Sequence, residues 1–513
     1  MEEGRSSLSS RIASLVHAHF DGLPARSKPT IRPDGTREWI PMSGIVIVKG
    51  EETLEEELTC VAVTSGAKCL SASQVPKCRG LVLHDWHAEI LALRAFNYWL
   101  LTEVQSLLTQ ERSYRALSED NKPEERREPF SPYIRRRRHE GSSSPPTPPF
   151  ELNPDLKIYM YCTCAPCGDA SMELCMAAQE DATPWELPAD GESKELLDGR
   201  GHFSRLGIVR RKPSRADAEA TRSKSCSDKL ALRQVSSLLS FESGLFVATT
   251  ENAYLEGVIL PEGELSRTGC ERCFGEDGRM GKLKGRFWHV HETEEDERRY
   301  GYRFRPFKVL SIPTQQFESI WHFGKTDPAA GASSETQEVF IPRKAKPAVV
   351  SAAWTTTPFL PLPHSIVDNG SKSLPKLRGS GTGLYETIIN GVKQGNRASE
   401  PIARGASALS RAKLWGLSKE IAKLLPSDMD RGSGNEALVE ERQSTMALHI
   451  LKQAVEAQTY HEFKNEQKQL PASLKARKDA IQDTKKVLNG WKPNIGDENW
   501  GLEVLIDPRK RKR

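Results

Sequence analysis

Residues 156–175 read LKIYMYCTCAPCGDASMELC. Leu156 to Tyr161 form a short apolar run of strand length, and the chain passes from it directly into turn-forming residues around Pro166 and Gly168. Pro166 suits the first turn of a new helix, so the expected local geometry is strand, tight turn, helix, with Cys167 at the junction. Outward from this unit, Ile45 to Val48 and Leu58 to Thr64 are β-branched runs that read as earlier strands. From Glu89, the residues Ile90, Leu93, Asn97, Leu100, Val104 and Leu107 recur at helical spacing and predict a long helix packed on that sheet. DKLALRQVSSLL after Cys226 predicts another helix, and YLEGVIL another strand. Beyond Leu384 the pattern is mostly helical, with SRAKLWGLSKEIAKLL and NEALVEERQSTMALHILKQAVEA as amphipathic runs. Strands alternating with helices predict an α/β fold.

Three segments are expected to stay outside the core, at 118–153, 178–202 and 325–348. The first holds seven prolines, the Arg135–Arg138 run and the Ser142–Ser144 run, too little apolar surface to order itself. The expected layout is one catalytic domain over 20–495, with these inserts, and a basic tail over 496–513 that ends in DPRKRKR.

Seventy-three Lys and Arg against 69 Asp and Glu leave a formal charge of +4, so overall charge selects no partner. Local charge says more: residues 201–230 and 464–492 each hold eight basic against three acidic side chains and are candidates for facing polyanions. No apolar run is long enough to span a bilayer and no secretory signal opens the sequence, so an intracellular protein, nuclear or cytoplasmic, with no membrane partner is expected. The ten cysteines are then expected as thiols or metal ligands.

The chemistry is carried by His84-Asp85-Trp86-His87-Ala88-Glu89, Ala165-Pro166-Cys167-Gly168-Asp169 and Ser225-Cys226-Ser227-Asp228-Lys229. Each offers one zinc donor at an expected helix start, where the positive end of the helix dipole favours a thiolate. A catalytic zinc takes three protein ligands and keeps a fourth position open, and His87, Cys167 and Cys226 supply that set. Glu89, two residues beyond His87, is placed to move protons without being a ligand. Hydrolytic deamination at C6 of adenine needs both parts, because water must be activated for attack and ammonia must leave protonated. Cys162, Cys164, Cys167, Cys270 and Cys273 form an alternative, a separate structural zinc site, and Cys270-Glu-Arg-Cys273 has half-site spacing.

In this order, HAEI, PCGDA and SCSDK resemble the adenosine deaminases that act on RNA, and the ungapped TRSKSCSDK is most similar to their tRNA-specific branch. The resemblance runs from about Phe20 to Trp491. It implies a cytidine-deaminase-like three-layer α/β/α core with a helical C-terminal extension, one Zn2+ on His87, Cys167 and Cys226, and Glu89 as proton shuttle. It further implies conversion to inosine of the adenosine immediately 3′ of the anticodon in alanine tRNA. The commoner zinc deaminases carry both cysteines in one Pro-Cys-x-x-Cys unit, whereas here Ala170 stands three residues after Cys167.

A base-modifying enzyme must track a phosphate backbone around an extruded base, and Arg210, Arg211 and Arg215 lie in the segment that resembles the family's substrate loop. Ser214 and Ala216 stand where that loop usually has glycines. The motifs begin within the first 90 residues, with no double-stranded-RNA-binding module before them, so a folded tRNA is the expected partner rather than long duplex RNA or DNA. The alternatives are an editase of duplex or messenger RNA and a non-catalytic RNA-binding relative, the latter disfavoured by Glu89. A monomer is compatible with the sequence, which does not set the oligomeric state. The resemblance also implies a buried inositol hexakisphosphate held by Arg94, Ser223, Lys229, Lys393, Tyr460, Lys464, Lys478 and Trp491, and a relay of Asp85, Lys212 and Lys229 from it to the zinc. Leu232-Arg233 replaces the family's Arg-Trp there, and Leu474 a tyrosine.

Overall fold

The computed structural model describes residues 6–32, 36–119, 128–137, 148–178, 197–198, 205–212, 219–289, 300–325, 345–360, 383–425, 449–466 and 471–506. Eight strands form the central sheet: β1 (Met42–Lys49), β2 (Glu57–Ser65), β3 (Leu156–Cys162), β4 (Leu255–Pro261), β5 (Lys308–Ile312), β6 (Ser351–Thr355), β7 (Tyr385–Ile389) and β8 (Val392–Lys393). Their spatial order is β5-β4-β3-β1-β2-β6-β7-β8. The pairs β3/β4 and β4/β5 are parallel and the rest antiparallel, so the sheet is mixed.

Each face of this sheet is apolar and each is covered, which makes three layers. On one face lies α1 (Leu8–Asp21), whose Ile12, Val16 and Phe20 recur every fourth residue and are fully buried with Val46, Val63 and Tyr161. Gly44 of β1 admits this helix, since a Cβ there would lie 2.5 Å from Val16 Cγ1. The short helix α6 (Thr314–Ile320) adds Phe317 to that layer, and Trp321 and Phe323 just beyond it pack edge-on around Phe20. The opposite layer is built on the long helix α2 (Ala88–Glu119), with α3 (Met172–Ala177), α4 (Cys226–Ser236), α5 (Arg267–Phe274), α7 (Arg411–Leu424) and α8 (Ala472–Val487) completing the helices used below. Leu93, Asn97, Leu100, Val104 and Leu107 of α2 are buried as their spacing predicts. Among the described residues no helix is long and apolar enough to cross a membrane.

Several boundaries differ from the sequence reading. The folded unit starts before Phe20, because α1 is part of the core. Within 118–153, Ile134–Arg136 pairs antiparallel with Phe150–Leu152; Ile134, Phe150 and Leu152 turn inward, while Arg135 pairs with Glu151 at 2.8 Å and Arg136 with Glu111 at 2.5 Å. The arginine run has the composition of a solvated segment, yet Arg135 and Arg136 meet carboxylates and their apolar neighbours find a core. Leu197–Asp198 and Lys346–Pro347, in the other two segments, pair with Arg210–Arg211 and Glu38–Trp39. Residues 385–393, expected in a mostly helical region, form the last two strands. Residues 496–506, assigned to the basic tail, are folded: Asp497, Trp500 and Val504 are buried, and Trp500 stacks on Tyr460 at 4.7 Å. Gly80, at φ +66°, lies under that indole, where a Cβ would come within 2.0 Å of the ring. Residues 507–513 and, within the three inserts, 120–127, 138–147, 179–196, 199–202 and 326–344 lie outside the described residues.

Candidate active site

Three chain segments meet at one end of the sheet. The first leaves β2 and re-enters as α2, where Asp85 Oδ1 accepts the His87 N–H at 3.0 Å and Leu91 N–H bonds back to His87 O at 2.8 Å. Thr64 Oγ1 donates to Ala88 O at 2.7 Å, which ties this first turn to the sheet. The second segment follows β3 into the turn with Cys167. Gly168 there adopts φ +107°, and a Cβ on it would lie 2.3 Å from Ser225 Oγ. The third is the start of α4, where Ser225 caps the helix by accepting from Asp228 N and Cys226 is the first helical residue. The two cysteine turns interlock: Ser227 N–H reaches Cys167 O at 3.0 Å, and Ser227 Oγ donates to Pro166 O at 3.0 Å.

The three predicted donors converge. His87 Nδ1 is 3.8 Å from Cys167 Sγ and 3.6 Å from Cys226 Sγ, and all three donor atoms lie within 4.8 Å of one another. A tetrahedral ion with metal–sulfur bonds of about 2.3 Å and metal–nitrogen bonds of about 2.0–2.1 Å has edges of roughly 3.5–3.8 Å, so the donor set fits zinc. A hydrogen bond from Cys226, with the charges of Lys212 and His87, outweighs burial and holds the Cys167 thiol well below its ordinary range, while burial and the Cys167 charge push Cys226 up. Two sulfurs this close resist ionising together, and a divalent cation removes that conflict. Cys226 begins α4 as expected, but the helix after Cys167 starts only at Met172 and spans six residues. The Cys167 thiolate is therefore favoured by Cys226, Lys212 and His87 rather than by a helix dipole.

Glu89, the second residue of α2, is only 4% exposed, and its Oε2 is buried without a hydrogen-bond partner among the described residues. Burial raises its pKa, against the nearby His87. Behind the donors, Asp85 Oδ2 takes Lys212 Nζ at 2.8 Å, Ser223 Oγ at 2.6 Å and Lys229 Nζ, and Lys212 Nζ also lies 3.4 Å from Cys226 Sγ. Burial opposes the Asp85 charge, but Lys212 and Lys229 hold its pKa well below the usual range.

Other expected residues divide. Arg210 is fully buried and its guanidinium donates to Arg205 O at 2.7 Å, so it is structural and does not face a nucleic-acid backbone. Arg211 is half-buried, and Arg215 lies outside the described residues. Cys270 and Cys273 are buried on α5 and are not gathered with Cys162, Cys164 or Cys167 into a ligand set, which removes the structural-zinc alternative among the described residues.

Of the residues expected at a polyphosphate, the structure gathers Arg94, Tyr460 and Lys464 near the buried carboxylate of Glu242, which lies 3.5 Å from Lys464 Nζ. Ser223 and Lys229 join Asp85 instead. Lys393 sits with Lys413 near Glu386, exposed Lys478 reaches Asn465 O, and Trp491 takes Lys224 and Lys485 against its ring. Arg233, which the sequence analysis counts as a departure from the family pattern, and Arg411 and Arg477, which it does not single out, add their charges to the Glu242 group. Burial pulls Arg233 down to about 9 and Lys464 to about 8, and lowers Arg94 and Arg477 as well. These cations outnumber the carboxylate among them, a composition that suits a polyanion.

Residues 62–128 and 138–289 match the adenosine-deaminase (editase) domain. A tRNA-specific adenosine deaminase 1 of Schizosaccharomyces pombe is 38% identical over 308 residues, which cover 60% of this chain and 68% of that protein. The chain belongs to the adenosine-deaminase (editase) family. It is accordingly a deaminase, a hydrolase, with the α/β core of that family. The Saccharomyces cerevisiae tRNA-specific adenosine deaminase 1 is 32% identical over 45% of this chain and 54% of its own length. A rat double-stranded RNA-specific editase B2 is 30% identical over 44% of this chain and 27% of its own length. The family match spans His87, Glu89, Cys167 and Cys226, so the convergent donors and the buried carboxylate lie inside the editase domain.

Proposed function

We propose that this chain deaminates adenosine to inosine in tRNA, with Zn2+ held by His87, Cys167 and Cys226, and that its preferred site is the adenosine 3′ of the anticodon in alanine tRNA. The observation that carries the reading is Glu89, a buried carboxyl beside three converging zinc donors, with one oxygen that has no hydrogen-bond partner among the described residues. Zinc bound there would make a water acidic enough to attack at neutral pH. Glu89 takes the proton from the attacking water as its oxygen adds to adenine C6, and returns a proton to the amine, which departs as ammonia. A pKa raised by burial suits a group that must both accept and donate near neutrality. Asp85 fixes His87 through its backbone N–H, and Lys212 sets a positive charge against Cys226 Sγ. An inositol hexakisphosphate is proposed at the Arg94, Arg233, Lys464 and Arg477 cluster, with Asp85, Lys212 and Lys229 relaying its presence to the donor site.

The tRNA substrate rests on the names and greater coverage of the two yeast relatives. The likeness to an editase of double-stranded RNA supports a second reading, in which duplex RNA is the substrate. Purified protein incubated with total tRNA, followed by sequencing for adenosine-to-guanosine changes, separates them: inosine beside an alanine anticodon supports the first, and inosine formed only in duplex RNA supports the second.

Binding of tRNA should weaken steeply with salt, because each phosphate neutralised by a protein cation releases counterions. Arg211→Ala combined with Arg215→Ala should flatten the slope of log affinity against log salt by about 0.7–0.9 for each phosphate that these side chains neutralise. An unchanged slope would show that they do not meet the backbone. Arg210 is left intact in this measurement because it is buried.

A further inference from the structure

The two cysteines of the donor set are 59 residues apart, so no single turn fixes the distance between their sulfurs. In a Pro-Cys-x-x-Cys unit local backbone geometry sets that distance; here contacts between two turns must set it, the Ser227 bonds to Cys167 O and Pro166 O among them. An aspartate follows each cysteine by two residues, Asp169 after Cys167 and Asp228 after Cys226, and both are fully buried. Arg272 sits on Asp169, with Nε 3.2 Å from Oδ2 and Nη2 donating to the Asp169 carbonyl at 2.8 Å, while its Nη1 reaches Glu173 at 2.6 Å. Arg279 sits on Asp228, with Nη1 2.7 Å from Oδ1. The other oxygen of Asp228 takes Ser225 Oγ at 2.6 Å and Arg210 N–H at 2.9 Å, and Gly207 N–H bonds Asp169 Oδ1 at 2.8 Å.

Both arginines come from one short stretch. Arg272 is in α5, Arg279 follows the turn after it, and Arg279 N–H donates to Arg272 O at 2.8 Å, so the two side chains have one backbone base. Close packing seats that base on the site. A Cβ at Gly269 would lie 2.6 Å from Ala170 O, and one at Gly278 would lie 2.5 Å from Arg272 O. We propose that Arg272 and Arg279 are positioning residues that, added to the Ser227 bonds between the two turns, set the separation of Cys167 Sγ and Cys226 Sγ for the metal. This rests on the zinc reading above. Each guanidinium binds a carboxylate that is itself fixed to its cysteine turn, so the pair acts as a caliper across two segments far apart in the chain. Neither arginine is among the converging donors.

The test uses the full chain with zinc and with Co2+ as probes. Zinc affinity is measured by competition with a chromophoric chelator, the Co2+ visible spectrum reports ligand geometry, and melting of the metal-free form reports the fold. Arg272→Met and Arg279→Met should each weaken zinc binding by about 10–100-fold and shift the cobalt bands. Arg272→Lys and Arg279→Lys, which keep charge but lose the planar fork, should recover part of the affinity. A merely structural ion pair would lower melting while leaving zinc affinity and cobalt spectrum of the folded fraction unchanged, and that result overturns the proposal. If a Met variant does not fold, the Lys variants decide: folded protein with wild-type affinity and spectrum overturns it equally. A wild-type chain that takes up no zinc overturns the metal reading itself, whereas unchanged variants in a zinc-binding wild type overturn the caliper alone.

Discussion

Glu89→Gln should abolish measurable deamination while leaving zinc in place. The substitution keeps the shape of the side chain and removes its ability to take and return a proton. General acid–base groups contribute about 10²–10⁴ to rate, and here one carboxyl serves both the attack of water and the departure of ammonia, so the upper end of that range or beyond is expected. Metal content should stay at one zinc per chain because Glu89 is not among the converging donors. Cys226→Ala should do the reverse in order: zinc is lost first, and activity with it. Metal analysis and turnover on both variants check this. Full activity in Glu89→Gln would end the proton-shuttle assignment, and retained zinc in Cys226→Ala would end the ligand assignment. The pair is informative because both residues are buried within one small volume, so a general loss of fold would make the two variants alike.

How much of this is legible in the sequence depends on whether the information is local. His87, Cys167 and Cys226 stand out because metal donors of these types are rare next to turn-forming residues, and the structure brings them together. The strands β1 to β4 are visible as apolar runs bounded by turns. The helix after Cys167 begins later than the sequence predicts, since Pro166 is permissive for a helix start and does not compel one; the chain instead uses Gly168 to pass Ser225 before the helix begins. Arg210 reads as a surface cation because it lies in a basic run, yet it is buried, and the neighbouring Asp169 and Asp228 offset part of the cost. The same reasoning applies to Arg135, Arg136 and Arg137, where Glu151, Glu111 and the Tyr300 ring turn a solvent-like composition into packed structure. Charge runs show only where cations lie along the chain. Whether they are exposed is decided by carboxylates and rings from distant segments, which periodicity does not reveal. The cluster around Glu242 is the extreme case, because its members come from α2, α4, α7, α8 and the segments at Glu242 and Tyr460–Lys464.

That cluster allows a prediction whose sign discriminates between two states. Arg94, Arg233, Lys464 and Arg477 are all pulled toward neutrality by burial, and Glu242 answers them, held down at about 2 against burial by Lys464 and Arg94. If no further anion is bound in solution, replacing Arg233 by methionine removes one repelling charge and an uncompensated desolvation cost, so melting temperature should rise. With a polyphosphate bound, the same change strips a partner from a buried anion. Breaking a buried pair costs about 3–5 kcal/mol, enough to lower melting by many degrees and to reduce soluble yield. The second outcome is expected, because a chain that orders this many cations around one carboxylate gains by folding around an anion, and binding only to the folded state stabilises it by mass action. Lys464→Met should behave like Arg233→Met, whereas Lys478→Met, at an exposed position, should change melting by less than about 0.5 kcal/mol equivalent. Mass spectrometry and phosphate analysis of acid-denatured protein supply the direct check, with inositol hexakisphosphate expected near one per chain. Raised melting in Arg233→Met and Lys464→Met, together with no released polyphosphate, would show that the cluster is tolerated as a cationic core and that the polyphosphate does not carry over to this chain.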